Sequence, residues 1–354
     1  MLNKIFKHTF VALSFTLLTV SFPVSAEENH NEEIAFSVQK IAPVGEVHPA
    51  SPFYDLKVKP GDKKVLEAKI LNSGNGEIQV DGQIFATYTN KNGEIAYTSQ
   101  AEEYDPSLQY KMNDLAKIYA SDIKSKVSSK SQKIVRVEIN VPKEAKDGVI
   151  LGSWYFEQAS EKNAQEKEEK SISIGNKYSY ALPIKLTVNK EIDQPSLTLE
   201  SITTGLSNYK KAFFANVVND QPAVLSKLSI TAQVMKKGKY DVLYQNKTEG
   251  MIMAPNSGFG YPVYLGKGTF QAGDYTMKVT ATTADNKWAR KTWTWSMDFT
   301  ILNEEAKELN SEAINDPEPE KAINWWLLAL LVLCFALIGT LFFLLLKRKK
   351  QEGK

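Results

Sequence analysis

Through most of the stretch from Ile34 to Ile301, apolar and polar residues take turns one for one. Leu66, Ala68 and Ile70 alternate with Glu67 and Lys69; Ile78, Val80, Ile84 and Ala86 alternate with Gln79, Asp81 and Gln83; Val135, Val137, Ile139 and Val141 alternate with Arg136, Glu138 and Asn140. A period of two predicts half-buried antiparallel strands with one face on a core and one in water. Turn-forming residues punctuate the pattern at Pro60-Gly61, Asn72 to Gly76, Asn92-Gly93, Asp147-Gly148 and Gly175-Asn176. The spacing predicts a β-sandwich of the immunoglobulin-like kind, without the Cys and Trp marks of antibody domains.

The rhythm ends on Leu182, Ile184, Leu186 and Val188, and Pro195 breaks it. It then resumes with Leu228, Ile230, Ala232 and Val234, with Tyr275, Met277, Val279 and Ala281, and with Trp293, Trp295, Met297, Phe299 and Ile301. The regular tryptophan stripe reads as core packing rather than a ligand platform. Two tandem all-β domains are therefore expected, over 27–190 and 195–302. Pro106 to Ser128 carries a mixed pattern that suits a short helix or a loop packed over the sandwich. Residues 157–171, rich in Glu and Lys, read as a solvated loop. Asn303 to Asn315 reads as a short polar helix with Ala306, Leu309 and Ala313 on one side, and 303–324 as helix plus tether.

From Trp325 to Leu346 the pattern changes to 22 residues without a charge, long enough to cross ~30 Å of hydrocarbon as a helix. Trp325 and Trp326 sit where an aromatic belt belongs, and Lys347 and Arg348 open a basic tail over 347–354 that the positive-inside rule places in the cytoplasm. At the other end, residues 1–26 have a basic start, an apolar run and the ending Val24-Ser25-Ala26. They read as a secretory signal peptide cleaved after Ala26. The expectation is a single-pass type I protein of the cell membrane, with both sandwiches on the cell-wall side.

Composition narrows the chemistry. The chain has 354 residues, one Cys and three His. Cys334 lies in the apolar stretch, so the exported part has neither disulfide nor Cys-based zinc site. His8 leaves with the signal peptide, and His30 and His48 read as exposed loop histidines. The net charge of +2 and the absence of a basic stripe exclude a nucleic-acid footprint. No cofactor or metal is expected.

Several motifs stand in a recognisable order. Ser51 to Gly61 (Ser-Pro-Phe-Tyr-Asp-Leu-Lys-Val-Lys-Pro-Gly) and Asp147 to Gly152 (Asp-Gly-Val-Ile-Leu-Gly) resemble the first domain of the WxL-interacting proteins of Gram-positive bacteria. Asn219 to Ala223, Lys227 to Ile230, Met253 to Ser257 and Ala272 to Tyr275 resemble their second domain. The resemblance implies a peptidoglycan-binding domain followed by one that binds a host ligand or partner, with a WxL-domain surface protein as the partner held at the wall. The chain's own Trp residues do not form the Trp-x-Leu mark, so it resembles the partner of a WxL protein. No catalytic motif comes with the resemblance.

For the wall polymer the candidates are Tyr54, Tyr88, Tyr110 and Trp154, because aromatic faces stack on sugar rings. A core role is equally open for each. For a protein partner they are Asn219 and Gln221, in a Pro-containing loop, and Met253, Phe259 and Tyr261, whose backbone is interrupted by Pro and Gly. Closing one end of the sandwich is the other reading of this second set. Two further functions remain in view: an extracytoplasmic assembly chaperone acting by β-strand complementation, and a wall hydrolase using paired carboxylates, for which no spacing selects a pair.

Overall fold

A computed structural model describes residues 36–159, 178–288 and 290–314. The signal peptide, the apolar stretch 325–346, the basic tail and most of the charged loop lie outside these residues. Among the described residues no helix is long and apolar enough to cross a membrane.

The chain opens with β1 (Phe36–Ile41), β2 (Tyr54–Val58), β3 (Lys63–Asn72), β4 (Ile78–Ala86) and a small hairpin of β5 (Tyr88–Thr89) and β6 (Ile95–Ala96). A one-turn helix α1 (Met112–Leu115) leads to β7 (Ala116–Ile118) and β8 (Lys124–Val127), and then come β9 (Ser131–Asn140), β10 (Gly148–Gln158) and β11 (Ser179–Val188). One sheet runs β1-β3-β9-β7 and the other β2-β11-β10-β4-β8. The pairs are antiparallel except β2 with β11, which are parallel. The alternating positions do what their period requires: Leu66, Ala68 and Ile70 of β3 lie on the same sheet face as Val135, Val137 and Ile139 of the neighbouring β9 and share one core with them. The stretch 106–128 is neither one helix nor one loop. It supplies α1 and an edge strand to each sheet, β7 beside β9 and β8 beside β4.

β10 breaks the alternation, and the reason is physical. From Gly148 to Phe156 every residue is buried, because its two faces are both covered. Ile150, Trp154 and Phe156 point into the sandwich core. On the opposite face Thr87 donates to the Leu151 carbonyl at 3.1 Å, and Ser153 donates to the Tyr97 carbonyl. α1 lies so close that a Cβ on Gly152 would fall 2.2 Å from Met112 Cβ.

After a linker follow β12 (Thr198–Ser207), β13 (Lys210–Asn219), β14 (Leu225–Lys236), β15 (Val242–Met253), β16 (Ser257–Tyr264), β17 (Gly273–Thr283), β18 (Thr292–Ile301) and α2 (Asn303–Glu312). Sheets β12-β13-β16 and β15-β14-β17-β18 pack face to face. Leu228, Ile230, Ala232 and Val234 meet Phe213, Ala215 and Val217 in a second core. α2 closes the end of this sandwich: Ala306 is buried, Glu305 accepts from Thr204, and the Asn310 side chain bonds both the N–H and the carbonyl of Phe270.

Candidate functional site

Local chemistry shapes the contact between the two sandwiches. Asn90 Oδ1 accepts from the N–H groups of Asn92 and Glu94, and Gly93 takes φ +74°, so the Asn90 to Gly93 turn folds tightly and projects the β5-β6 hairpin toward the second domain. There the Gly93 carbonyl accepts from Ile252 N–H at 2.8 Å. Thr89 is buried and bonds twice: its N–H donates to Ser257 Oγ at 2.7 Å and its Oγ1 accepts from Ala254 N–H at 3.0 Å. On the other side of the junction Val149 N–H donates to the Pro222 carbonyl at 2.6 Å.

The candidate residues separate sharply in this setting. Tyr54 and Trp154 are fully buried. The Tyr54 hydroxyl donates to the Glu67 carbonyl, and burial together with the nearby Glu46 carboxylate holds its pKa well above the usual range. Neither ring offers a face to a sugar, which corrects the expectation from sequence. Met253, Phe259 and Tyr261 are corrected likewise. Their backbone is strand rather than turn, and all three pack in the second core, with Tyr261 donating to the Ile230 carbonyl at 3.1 Å. Asn219 is buried too; its amide donates to the carbonyls of Ala223 and Ala254 and pins the loop from within. Gln221 is half-buried and bonded to Asp220 at 2.9 Å. Tyr88 and Tyr110 keep part of their surface in solvent.

Tyr110 lines a cleft of about 210 Å³ at the junction, with Gln109, Lys146 and Asp147 from the first domain and Asp220 and Asn256 from the second. The cleft sets one aromatic ring among amide, carboxylate and ammonium groups. Tyr110 is a candidate from sequence, but its neighbours here come from stretches far apart in the chain, Lys146 to Asp147, Asp220 and Asn256, which sequence order does not bring together.

A second cleft of about 290 Å³ also spans both domains. Its floor is apolar, with Phe53, Ile95, Leu151 and Ile252, and its mouth carries Lys185, Glu191, Asp285 and Lys287. A chain of charges runs along it: His48 Nδ1 lies 2.6 Å from Asp55, Lys185 stands 3.8 Å from Asp55 and 2.8 Å from Glu191, and Glu191 also meets Lys287. Burial and the neighbouring Lys185 hold the Lys287 ammonium below its ordinary pKa despite Glu191. Behind the mouth Lys40 is paired with Glu46 at 2.8 Å, while the other Glu46 oxygen is buried without a partner. Glu191 belongs to the linker, so this network ties the linker to both sandwiches.

Residues 36–158 match the family model described as the WxL Interacting Protein peptidoglycan binding domain, and residues 169–311 match that of the WxL Interacting Protein host binding domain. No curated protein matches the chain by sequence. Among solved structures, a chaperone–tip adhesin complex of CFA/I fimbriae biogenesis is similar at 11% identity and a TM-score of 0.33, covering 74% of this chain and 97% of that one. The CsuC–CsuE chaperone–tip adhesion subunit pre-assembly complex of Acinetobacter baumannii matches at 12% identity and a TM-score of 0.32, covering 74% and 97%. The YadV chaperone matches at 9% identity and a TM-score of 0.28, covering 76% and 100%.

Proposed function

The chain belongs to the WxL-interacting protein family, and on that premise we propose that it is a membrane-anchored, non-catalytic surface protein of a Gram-positive cell. Its first domain holds peptidoglycan, and its second holds a WxL-type surface protein or a host extracellular ligand. The observation that carries this reading is the pair of family matches, in order, the first over β1 to β10 and the second from β11 through the second sandwich. The Tyr110 cleft supports the wall-binding half, because a ring beside hydrogen-bonding groups suits a shallow polymer site better than an enclosed pocket. The anchoring half rests on the uncharged stretch from Trp325 to Leu346 and its basic flank.

Two experiments test the proposal. Full-length protein in detergent is mixed with purified peptidoglycan; the reading requires that it sediments and releases no soluble wall fragments. Protein that stays in solution refutes wall binding, and released fragments refute the absence of catalysis. Protease added to protoplasts should remove both sandwiches and spare Lys347 to Lys354; a tail cut from outside overturns the anchoring.

A further inference from the structure

β18 differs from the other sheet edges of this protein. Among the described strands it is bonded to β17 alone, in unbroken register from Thr282 opposite Thr292 to Gly273 opposite Ile301. Its outer side therefore has no ladder partner along its ten residues, although β12 of the facing sheet runs close beside part of it. Folded proteins normally blunt such edges with short strands, bulges, Pro or Lys. The other edges follow that rule. β1, β2, β7 and β8 have at most six residues; β12 shifts register between Leu199 and Ser201, β15 shifts three times, and β16 contains Pro262. β18, Thr-Trp-Thr-Trp-Ser-Met-Asp-Phe-Thr-Ile, has no Pro, Gly, Lys or Arg.

Its inward side chains are also incompletely covered. On β17, Met277, Val279 and Ala281 are fully buried, whereas Met297, Trp295 and Trp293, which pair with them across the ladder, are only half-buried. An edge that leaves both its hydrogen bonds and its tryptophans unfinished is a template for one more strand.

We propose that β18 accepts an extended segment of a partner protein as the fifth strand of its sheet, with apolar residues at every second position lying beside Trp295 and Met297. An extended polypeptide is the occupant because donors and acceptors that recur about every 6.8 Å, two residues of strand, match another backbone and no compact ligand. A second copy of this chain fits poorly. On the anchoring reading both copies enter one membrane from the same side, whereas two β18 edges pairing antiparallel would invert one copy and leave only residues 302–324 to bring its chain back. The inference rests on the partner-binding reading of the second domain and deepens it by naming the edge.

The test uses full-length protein in detergent and a synthetic nine-residue peptide of alternating Val and Thr, read by hydrogen exchange. Two further peptides carry N-methyl groups on alternate nitrogens, one for each edge of the strand. The expected result is exchange at least tenfold slower over 292–301 with the plain peptide, loss of that slowing with one of the two methylated peptides, and loss again in Met297→Lys. Unchanged exchange, equal slowing by all three peptides, or slowing that grows with protein concentration alone overturns the proposal. The methylated arms use the unaltered protein, so the test stands if the variant fails to fold. A WxL protein bound to the second domain while 292–301 still exchanges freely would sink the β18 site and leave the partner-binding reading in place.

Discussion

Thr89 and Ser257, 168 residues apart, are buried against each other across the domain junction, with the Thr89 N–H donating to Ser257 Oγ at 2.7 Å. Thr89 Oγ1 returns the contact by accepting from Ala254 N–H. Leaving a buried donor without a partner costs about 1–3 kcal/mol. Thr89→Val strands Ala254 N–H and Ser257→Ala strands Thr89 N–H, so each variant should lose that much in denaturant unfolding. The pair share one network, so the double variant should lose less than the sum.

Gly148 marks the other side of the junction. It takes φ +129°, and a Cβ there would sit 2.5 Å from Pro222 Cγ. Gly148→Ala should therefore push the domains apart as well as strain the backbone, at a cost of roughly 1–3 kcal/mol. X-ray scattering should register a larger radius of gyration for this variant; an unchanged radius with full stability would show that the junction is not held here.

Removing Tyr110 and removing Trp154 should have opposite outcomes. Tyr110→Ala takes away a partly exposed ring at the junction cleft, so wall binding should weaken by about tenfold, on the order of one stacked ring, with a smaller loss of stability than Trp154→Ala because the ring only packs against the edge of the core. Trp154→Ala empties the core and should cost about 3–5 kcal/mol. Equal wall binding by folded Tyr110→Ala would place the sugar site elsewhere.

Alkali should destabilise the first domain by a definite route. Burial raises the Tyr97 hydroxyl from 10.0 to about 12 and raises Tyr54 further, with Glu46 adding to the latter. The folded state thus keeps protons that the unfolded chain gives up. Their stabilising contribution is full below pH ~10 and is lost as pH rises through ~12. Tyrosinate absorbance should show these two groups titrating together with unfolding, whereas Tyr97→Phe should flatten the stability loss.

Much of this architecture is legible as alternation, and the illegible parts have causes. The runs 66–70, 135–141, 228–234 and 275–281 each have one wet face, so their period announced them. The Met253 to Tyr261 stretch misleads because Gly258 and Gly260 look like turns. They are strand positions where a Cβ would meet Val218 at 2.8 Å and Asn216 at 3.1 Å, so glycine there answers crowding, not chain reversal. Tyr54 and Trp154 carry polar tips that sequence cannot distinguish from surface groups, although Tyr54 finds the Glu67 carbonyl inside the fold. The Tyr110 cleft and the Thr89 to Ser257 contact join residues from both domains, a relation that no local pattern encodes.

A protein with these two domains would bridge the wall and a surface protein. The most direct measurement of that bridging is co-sedimentation of a purified WxL protein with peptidoglycan in the presence and absence of this protein in full-length, detergent-solubilised form. The WxL protein should enter the pellet in proportion to the bridging chain added, and Tyr110→Ala should reduce both proteins in the pellet together. A WxL protein whose distribution does not change when this chain is added would contradict it.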